Sequence, residues 1–290
     1  MNSGHALADR LLGWFEASAR DLPWRAPGTS PWAVLVSEVM LQQTPASRVT
    51  PVYTAWLARW PTAADLAAAS AGDAVRAWGK LGYPRRALRL RECAVAVCDR
   101  FDGRVPDDVG TLLTLPGVGP YTARAVCAFA FGQRQPLVDT NVRRVVSRLV
   151  RGEAATAPST ARDLAAVDSL LPDDARAARF SAALMELGAT LCTSARPACP
   201  RCPVADACAW RAAGYPPTAG PTARTQRYAG TDRQVRGRLL DVLRASPDPV
   251  GAAELDFAWP DRVQRRRALE SLIADGLIDP LAGGRFALPA

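Results

Sequence analysis

Leu115-Pro-Gly-Val-Gly-Pro-Tyr-Thr-Ala123 decides how this chain folds. Helical periodicity follows it at Tyr121–Phe131. Pro116 and Gly117 stop the helix before it, and Gly119 permits the tight turn into the next. The stretch therefore predicts a hairpin between two helices, with backbone N–H groups facing outward at a helix N-terminus. Such a terminus is a ready site for a phosphate. A plain helix–turn–helix connection also uses glycines. Two glycines flanking Val118, between Leu115 and a Thr-Ala helix start, make a more specific pattern.

On either side of the hairpin the chain is helical. Apolar residues recur at helical spacing over Ala6–Ala19, Ala33–Gln43, Ser47–Arg59, Ala71–Leu81 and Arg86–Phe101. They do so again over Val142–Val150, Arg162–Leu171 and Ala178–Leu191. Pro and Gly separate these segments, so the body is expected to be all-α. Four cysteines close it as C-x6-C-x2-C-x5-C: Cys192, Cys199, Cys202 and Cys208, with Pro197, Pro200 and Pro203 stiffening the loop. Four converging thiolates suit either an iron–sulfide cluster or a tetrahedral zinc. Zinc sites usually pair two C-x2-C knuckles, and one is present here, which favours a [4Fe–4S] cluster. Gly214–Gly230 is rich in Pro, Gly, Thr and Ala and reads as a linker. Beyond it, helical patterns at Asp232–Ala245, Gly251–Phe257 and Pro260–Asp275 precede a hairpin turning at Ala282-Gly283-Gly284. That is the outline of a winged helix. Arg262, Arg265, Arg266 and Arg267 crowd one of its helices, either as phosphate contacts or as a solvated charged face.

Composition removes several chemistries. The formal charge of +8 suits an anionic partner. The single histidine, His5, lies near a terminus, which argues against histidine acid–base chemistry. Lys80 is the only lysine among 36 basic residues, so any Schiff base must form there. No opening segment resembles a secretion signal, and no apolar run reaches the ~18 residues of a membrane helix. Seven cysteines, an odd number, argue against a disulfide framework and for a reducing cytosol.

Two carboxylates stand out. On a helix, Glu38 shares a face with Val34, Leu35, Leu41 and Gln42. Desolvation there would raise its pKa toward that of a general acid at neutral pH. Asp139 follows Pro136-Leu-Val and precedes a helix, so its simplest role is an N-cap. A helix N-terminus would keep it ionised.

Taken in order, the helical body, the hairpin, an Asp some residues later and the cysteine run resemble the endonuclease III superfamily of DNA glycosylases. Leu22-Pro-Trp-Arg25, Ser37-Glu-Val-Met-Leu-Gln-Gln-Thr44 and Leu81-Gly-Tyr83 are similar to its adenine DNA glycosylase branch, over roughly residues 7–210. The resemblance implies a helix-hairpin-helix glycosylase fold. Residues 1–22 with 134–213 would form an iron–sulfur helical domain, and 23–133 a six-helix barrel carrying the hairpin. A linker at 214–231 and a winged-helix-like domain at 232–290 would follow. It implies removal of adenine opposite 8-oxoguanine or guanine in double-stranded DNA, by a monomer in the bacterial cytoplasm, associated with the nucleoid.

The resemblance also implies residue roles. Glu38 would protonate the departing adenine, and Asp139 would face the oxocarbenium charge on the sugar, with Asn141 orienting the site. Tyr121 stands where bifunctional relatives carry a lysine nucleophile, so hydrolysis without strong β-lyase activity is expected. Gln43 and Tyr83 would insert into the duplex, with Thr44 and Arg25 near the opposite base or the reaction centre. Trp24, Leu41 and Glu186 would border the adenine pocket; core packing for the first two and a surface charge for Glu186 are the simpler alternatives. Leu115, Gly117, Val118 and Gly119 would contact DNA, and Cys192, Cys199, Cys202 and Cys208 would hold one [4Fe–4S] cluster per chain.

This chain departs from the branch in two places. Thr140 stands where the branch commonly has Gly. The short tail replaces the Nudix-like domain that helps many relatives recognise 8-oxoguanine. A thymine glycosylase acting on T·G mismatches and a non-enzymatic iron–sulfur regulator remain as alternatives; Gln42-Gln43-Thr44 speaks against the first.

Overall fold

A computed structural model describes residues 3–154, 161–217 and 228–290. The expected linker lies partly outside them, at 218–227. The chain runs through α1 (Ser3–Ser18), α2 (Pro31–Leu41), α3 (Ala46–Arg59), α4 (Ala63–Ala68), α5 (Ala71–Trp78) and α6 (Arg85–Phe101). It continues through α7 (Val109–Leu112), α8 (Pro120–Phe131), α9 (Thr140–Val146), α10 (Ala161–Leu170), α11 (Ala177–Thr190) and α12 (Ala209–Ala212). The last part holds α13 (Asp232–Ala245), β1 (Val250–Gly251), α14 (Ala252–Ala258), α15 (Arg262–Ala274), β2 (Asp279–Leu281) and β3 (Arg285–Ala287). No helix among the described residues is long and apolar enough to cross a membrane.

These elements form two compact units. One comprises residues 1–31, 107–113 and 119–222; the other comprises 32–106, 114–118 and 223–290. They divide the chain differently from the boundaries expected at 22, 133 and 213.

In the first unit, the apolar stripes of α1, α9 and α11 meet. Phe180, Leu184 and Leu187 recur at helical spacing and pack with Leu11, Phe15, Val142 and Val146. Each such side chain contributes about 1.5–3 kcal/mol of burial. Gly188 lets α11 approach closely, since a Cβ there would stand 2.7 Å from the Asn141 Cβ. The predicted helix Val142–Val150 stays α-helical to Val146 and then widens into a π turn over Ser147–Arg151.

In the second unit, Leu90, Ala94 and Val97 of α6 are buried at helical spacing. Trp56 packs edge-on against Trp60 and Trp78. Thr62 and Ser70 cap α4 and α5 through their hydroxyls. The same unit contains the C-terminal helices and a sheet of order β1-β3-β2, with Val250 and Pro280 both paired to Phe286. This is the winged-helix outline plus β1, whose two residues are too short for any alternation to be visible. The tail is no loose appendage, because Arg76 of α5 donates to the carbonyls of Leu243, Arg244 and Ser246.

Candidate active site

Glu38 sits in α2, where residues 32–40 are all buried, and is itself 6% exposed. A carboxyl in such a helix is removed from water on every turn of its face, as the sequence predicts. Leu41 ends that helix half-buried.

The two residues expected to insert into a duplex share an uncommon backbone. Gln43 has φ 54° and Tyr83 has φ 48°, the left-handed region that L side chains seldom occupy. Both side chains are exposed, Tyr83 at 45%. Strained turns that present exposed side chains persist only where their surroundings over-determine them. Here the determinant is Arg86, which sequence reading missed. Its Nη1 donates to the carbonyls of Val39 (2.9 Å), Met40 (3.2 Å) and Gln42 (2.6 Å). Its Nη2 donates to Thr44 Oγ1 (3.0 Å) and the Gly82 carbonyl (3.2 Å). The guanidinium thus satisfies carbonyls left unpaired at the end of α2 and locks both turns at once. Burial holds its pKa down at about 10, with Tyr83 opposing. The only available signal was an Arg three residues after Tyr83.

Thr44 is buried, and its hydroxyl also reaches the carbonyls of Gln42 and Leu81. It holds the turn together. Beside Arg86, a cavity of about 170 Å³ is bounded by Val39, Gln42, Arg89, Pro116 and Gly117.

The hairpin differs in detail from the sequence reading. Gly117, at φ 77°, is the left-handed residue. A Cβ on it would stand 2.9 Å from Arg89 Cβ. Gly119 is extended, at φ −96° and ψ 176°, and caps α8. Any residue could adopt that conformation, and a Cβ on Gly119 would meet nothing within 4 Å. The open space at Gly119 leaves the backbone approachable from outside. Leu115 and Val118 are buried, 3% and 7% exposed. Their side chains anchor the hairpin, and the Val118 N–H closes it by donating to the Leu115 carbonyl at 3.2 Å.

In the first unit Asp139 is the N-cap of α9, as predicted, accepting from the Val142 N–H at 2.6 Å. Asn141 Nδ2 donates to its other oxygen at 3.1 Å. Arg144 in turn donates to Asn141 Oδ1 (2.8 Å) and to the Gly188 carbonyl (2.6 Å). This relay holds the carboxylate in one orientation. Burial raises the Asp139 pKa, and the donors from Val142 and Asn141 offset that only in part.

Glu186 is not a surface charge. It is fully buried, paired with Arg20 at 2.6 Å and with Arg25 at 2.9 Å. Burial pushes its pKa up, but the guanidinium donors outweigh it and hold it below the usual carboxylate range. Arg25, whose side chain stays partly exposed, is also stacked over Phe15. Trp24 is buried beside it. Tyr121 packs against Ala125, Ala128 and Leu137. In the other unit, Lys80 is exposed and faces Asp241 at 3.6 Å in a surface ion pair.

The four cysteines of the C-terminal run are free thiols, each half-buried. Burial raises Cys202 to about 11, and Cys192, Cys208 and Cys199 each push it the same way, so the four share one locality. Arg148, 5% exposed, aims Nη1 at Cys192 Sγ (3.4 Å), donates to the carbonyls of Thr193 and Ser194, and lies over Trp210 at 4.5 Å. No three His, Cys, Asp or Glu side chains among the described residues stand at single-ion spacing. An iron–sulfide core holds its thiolates farther apart than one ion does. The donor chemistry, four thiols with a neighbouring buried cation, suits an anionic cluster.

Residues 36–167 match the HhH-GPD superfamily base excision DNA repair protein family. The chain is 61% identical over 287 residues to the adenine DNA glycosylase of Mycobacterium tuberculosis (strain CDC 1551 / Oshkosh), covering 98% of this chain and 94% of the relative. A thermostable thymine-DNA glycosylase structure is similar at TM-score 0.66 and 27% identity, over 72% of this chain and 97% of that one. A non-covalent endonuclease III–DNA complex matches at TM-score 0.62 and 23% identity, over 74% and 99%, a likeness of fold.

Proposed function

Because this chain belongs to the adenine DNA glycosylases of the HhH-GPD superfamily, we propose that it removes adenine mispaired with 8-oxoguanine or guanine, using Glu38 and Asp139. The family's activity is hydrolysis of the N-glycosidic bond of adenine in DNA, a step of base excision repair. The observation that carries the catalytic assignment is the burial of Glu38 at 6% exposure within an apolar helix.

Glu38 donates its proton to a ring nitrogen of adenine. The C1′–N bond then breaks with both electrons leaving on the base. Asp139, ionised, opposes the positive charge left on the sugar. Water adds to C1′, and its proton returns to Glu38. The backbone N–H of Gly119, at the N-terminus of α8, grips a phosphate. Gln43 and Tyr83 fill the gap left by the flipped base. With Tyr121 in the hairpin and Lys80 on the surface, no lysine is placed for β-elimination. Duplexes carrying A·8-oxoG, A·G and T·G test the proposal. Excision of adenine from the first two, with T·G intact, is the expected result; cleavage of T·G alone would overturn it.

The Asp139 relay makes a pH prediction. Excision needs the ionised carboxylate, so it falls as pH drops through a pKa that burial has raised. Removing the Asn141 donor leaves burial less opposed and moves that pKa higher. Asn141→Ala should therefore shift the acid limb of the single-turnover profile upward. An unmoved limb would detach Asp139 from the rate.

Cys192, Cys199, Cys202 and Cys208 would hold a [4Fe–4S] cluster that serves the local fold and supplies no group to the reaction. Purified protein is expected to absorb near 400 nm and to contain iron and sulfide. Cys199→Ser should lose both and weaken DNA binding. One zinc per chain without iron, after anaerobic preparation, would overturn the assignment.

A further inference from the structure

Two guanidiniums lie over the aromatic ring of Tyr83. Arg86 stands 5.3 Å from the ring centroid and Arg233 5.0 Å from it. Arg86 is held by five acceptors, whereas Arg233 is exposed at the start of α13 and has no carboxylate partner among the described residues. It also lies 5.9 Å from the Tyr228 ring. Arg233 belongs to the C-terminal winged-helix-like segment, and that segment is bolted around the turn bearing Tyr83. Arg244 Nε donates to the Val75 carbonyl at 3.1 Å. Asp241 faces Lys80 at 3.6 Å, and Asp275 faces Arg85 at 3.2 Å. Near the end of the sequence the Gly72 N–H donates to the Pro289 carbonyl at 2.6 Å. Asp232, next to Arg233, is clamped by Arg267 and Gln264. That support therefore brings to the face of an exposed ring, on left-handed backbone, a cation with no carboxylate partner among the described residues.

We infer that Arg233 is a positioning residue for Tyr83, through which the C-terminal segment helps choose the base opposite adenine. The inference rests on the adenine-excision assignment and on Tyr83 entering the duplex. A cation over an aromatic face is worth a modest factor at an exposed site. Its loss frees the ring and penalises most the mismatch that depends on the ring's placement.

The test measures single-turnover excision from A·8-oxoG and A·G duplexes by the full chain and its variants. Arg233→Gln should lower the A·8-oxoG to A·G rate ratio by about threefold with an unchanged Tm. Arg233→Lys, which keeps the cation, should restore most of it. In a Tyr83→Ala background, Arg233→Gln should change the ratio no further. Equal loss on both duplexes with a reduced salt dependence would make Arg233 an ordinary phosphate contact and overturn the inference. So would a ratio that falls again in the Tyr83→Ala background. A wild-type chain that excises adenine from neither duplex would instead overturn the assignment on which the inference rests.

Discussion

Glu38→Gln and Asp139→Asn are each expected to slow single-turnover adenine excision by at least ~10²-fold, the scale of one lost acid–base or electrostatic contribution. Glu38→Gln keeps the side chain's shape in a helix with no room for change but removes the transferable proton. Asp139→Asn keeps an oxygen that accepts from the Val142 N–H and so preserves the cap of α9. It removes the charge that opposes the oxocarbenium ion. Duplex binding should change little, because phosphate contacts supply most of the affinity. The two variants should separate on a substrate whose base departs without protonation. Such a substrate partly rescues Glu38→Gln and leaves Asp139→Asn slow. Equal rescue, or near-normal excision from A·8-oxoG by either variant, would remove both residues from these roles.

Replacing Arg86 is expected to cost stability and recognition together. Arg86→Met leaves the carbonyls of Val39, Met40, Gln42 and Gly82 and the Thr44 hydroxyl without their donor. An unsatisfied buried acceptor costs about 1–3 kcal/mol, and partial rewetting softens the sum, so a loss of roughly 3 kcal/mol is expected. Arg86→Lys should recover little of it, since three donors on a point charge cannot span acceptors on two turns. Urea midpoints read the stability loss. Excision measured where each variant remains folded should still fall by about tenfold, the rate equivalent of one ill-placed contact, because Gln43 and Tyr83 no longer have a fixed backbone. A lysine variant with wild-type midpoint and rate would show the five-acceptor network to be dispensable.

The sequence by itself determined the elements and the chemistry-bearing types. Leucines, valines and alanines at helical spacing specify α1, α6 and α11 because one apolar face must be buried wherever it lands. The hairpin glycines, the cap at Asp139 and the cysteine spacing are local, so they too were legible. Glu38 was legible because a carboxylate among Val34, Leu35 and Leu41 has few places to go. What only the tertiary structure decided are the partnerships between residues distant in the chain. Glu186 reads as an ordinary helix charge, yet Arg20 and Arg25, some 160 positions away, take both of its oxygens. Arg86 reads as one more arginine in a basic helix, and its five acceptors come from α2 and two turns. The cap at Asp139 is local, but the depth of protein around it, which raises its pKa, is set by segments packed from elsewhere in the chain. Hydrogen bonds and desolvation depend on which surfaces meet, and periodicity along one segment carries no record of the segment it will meet.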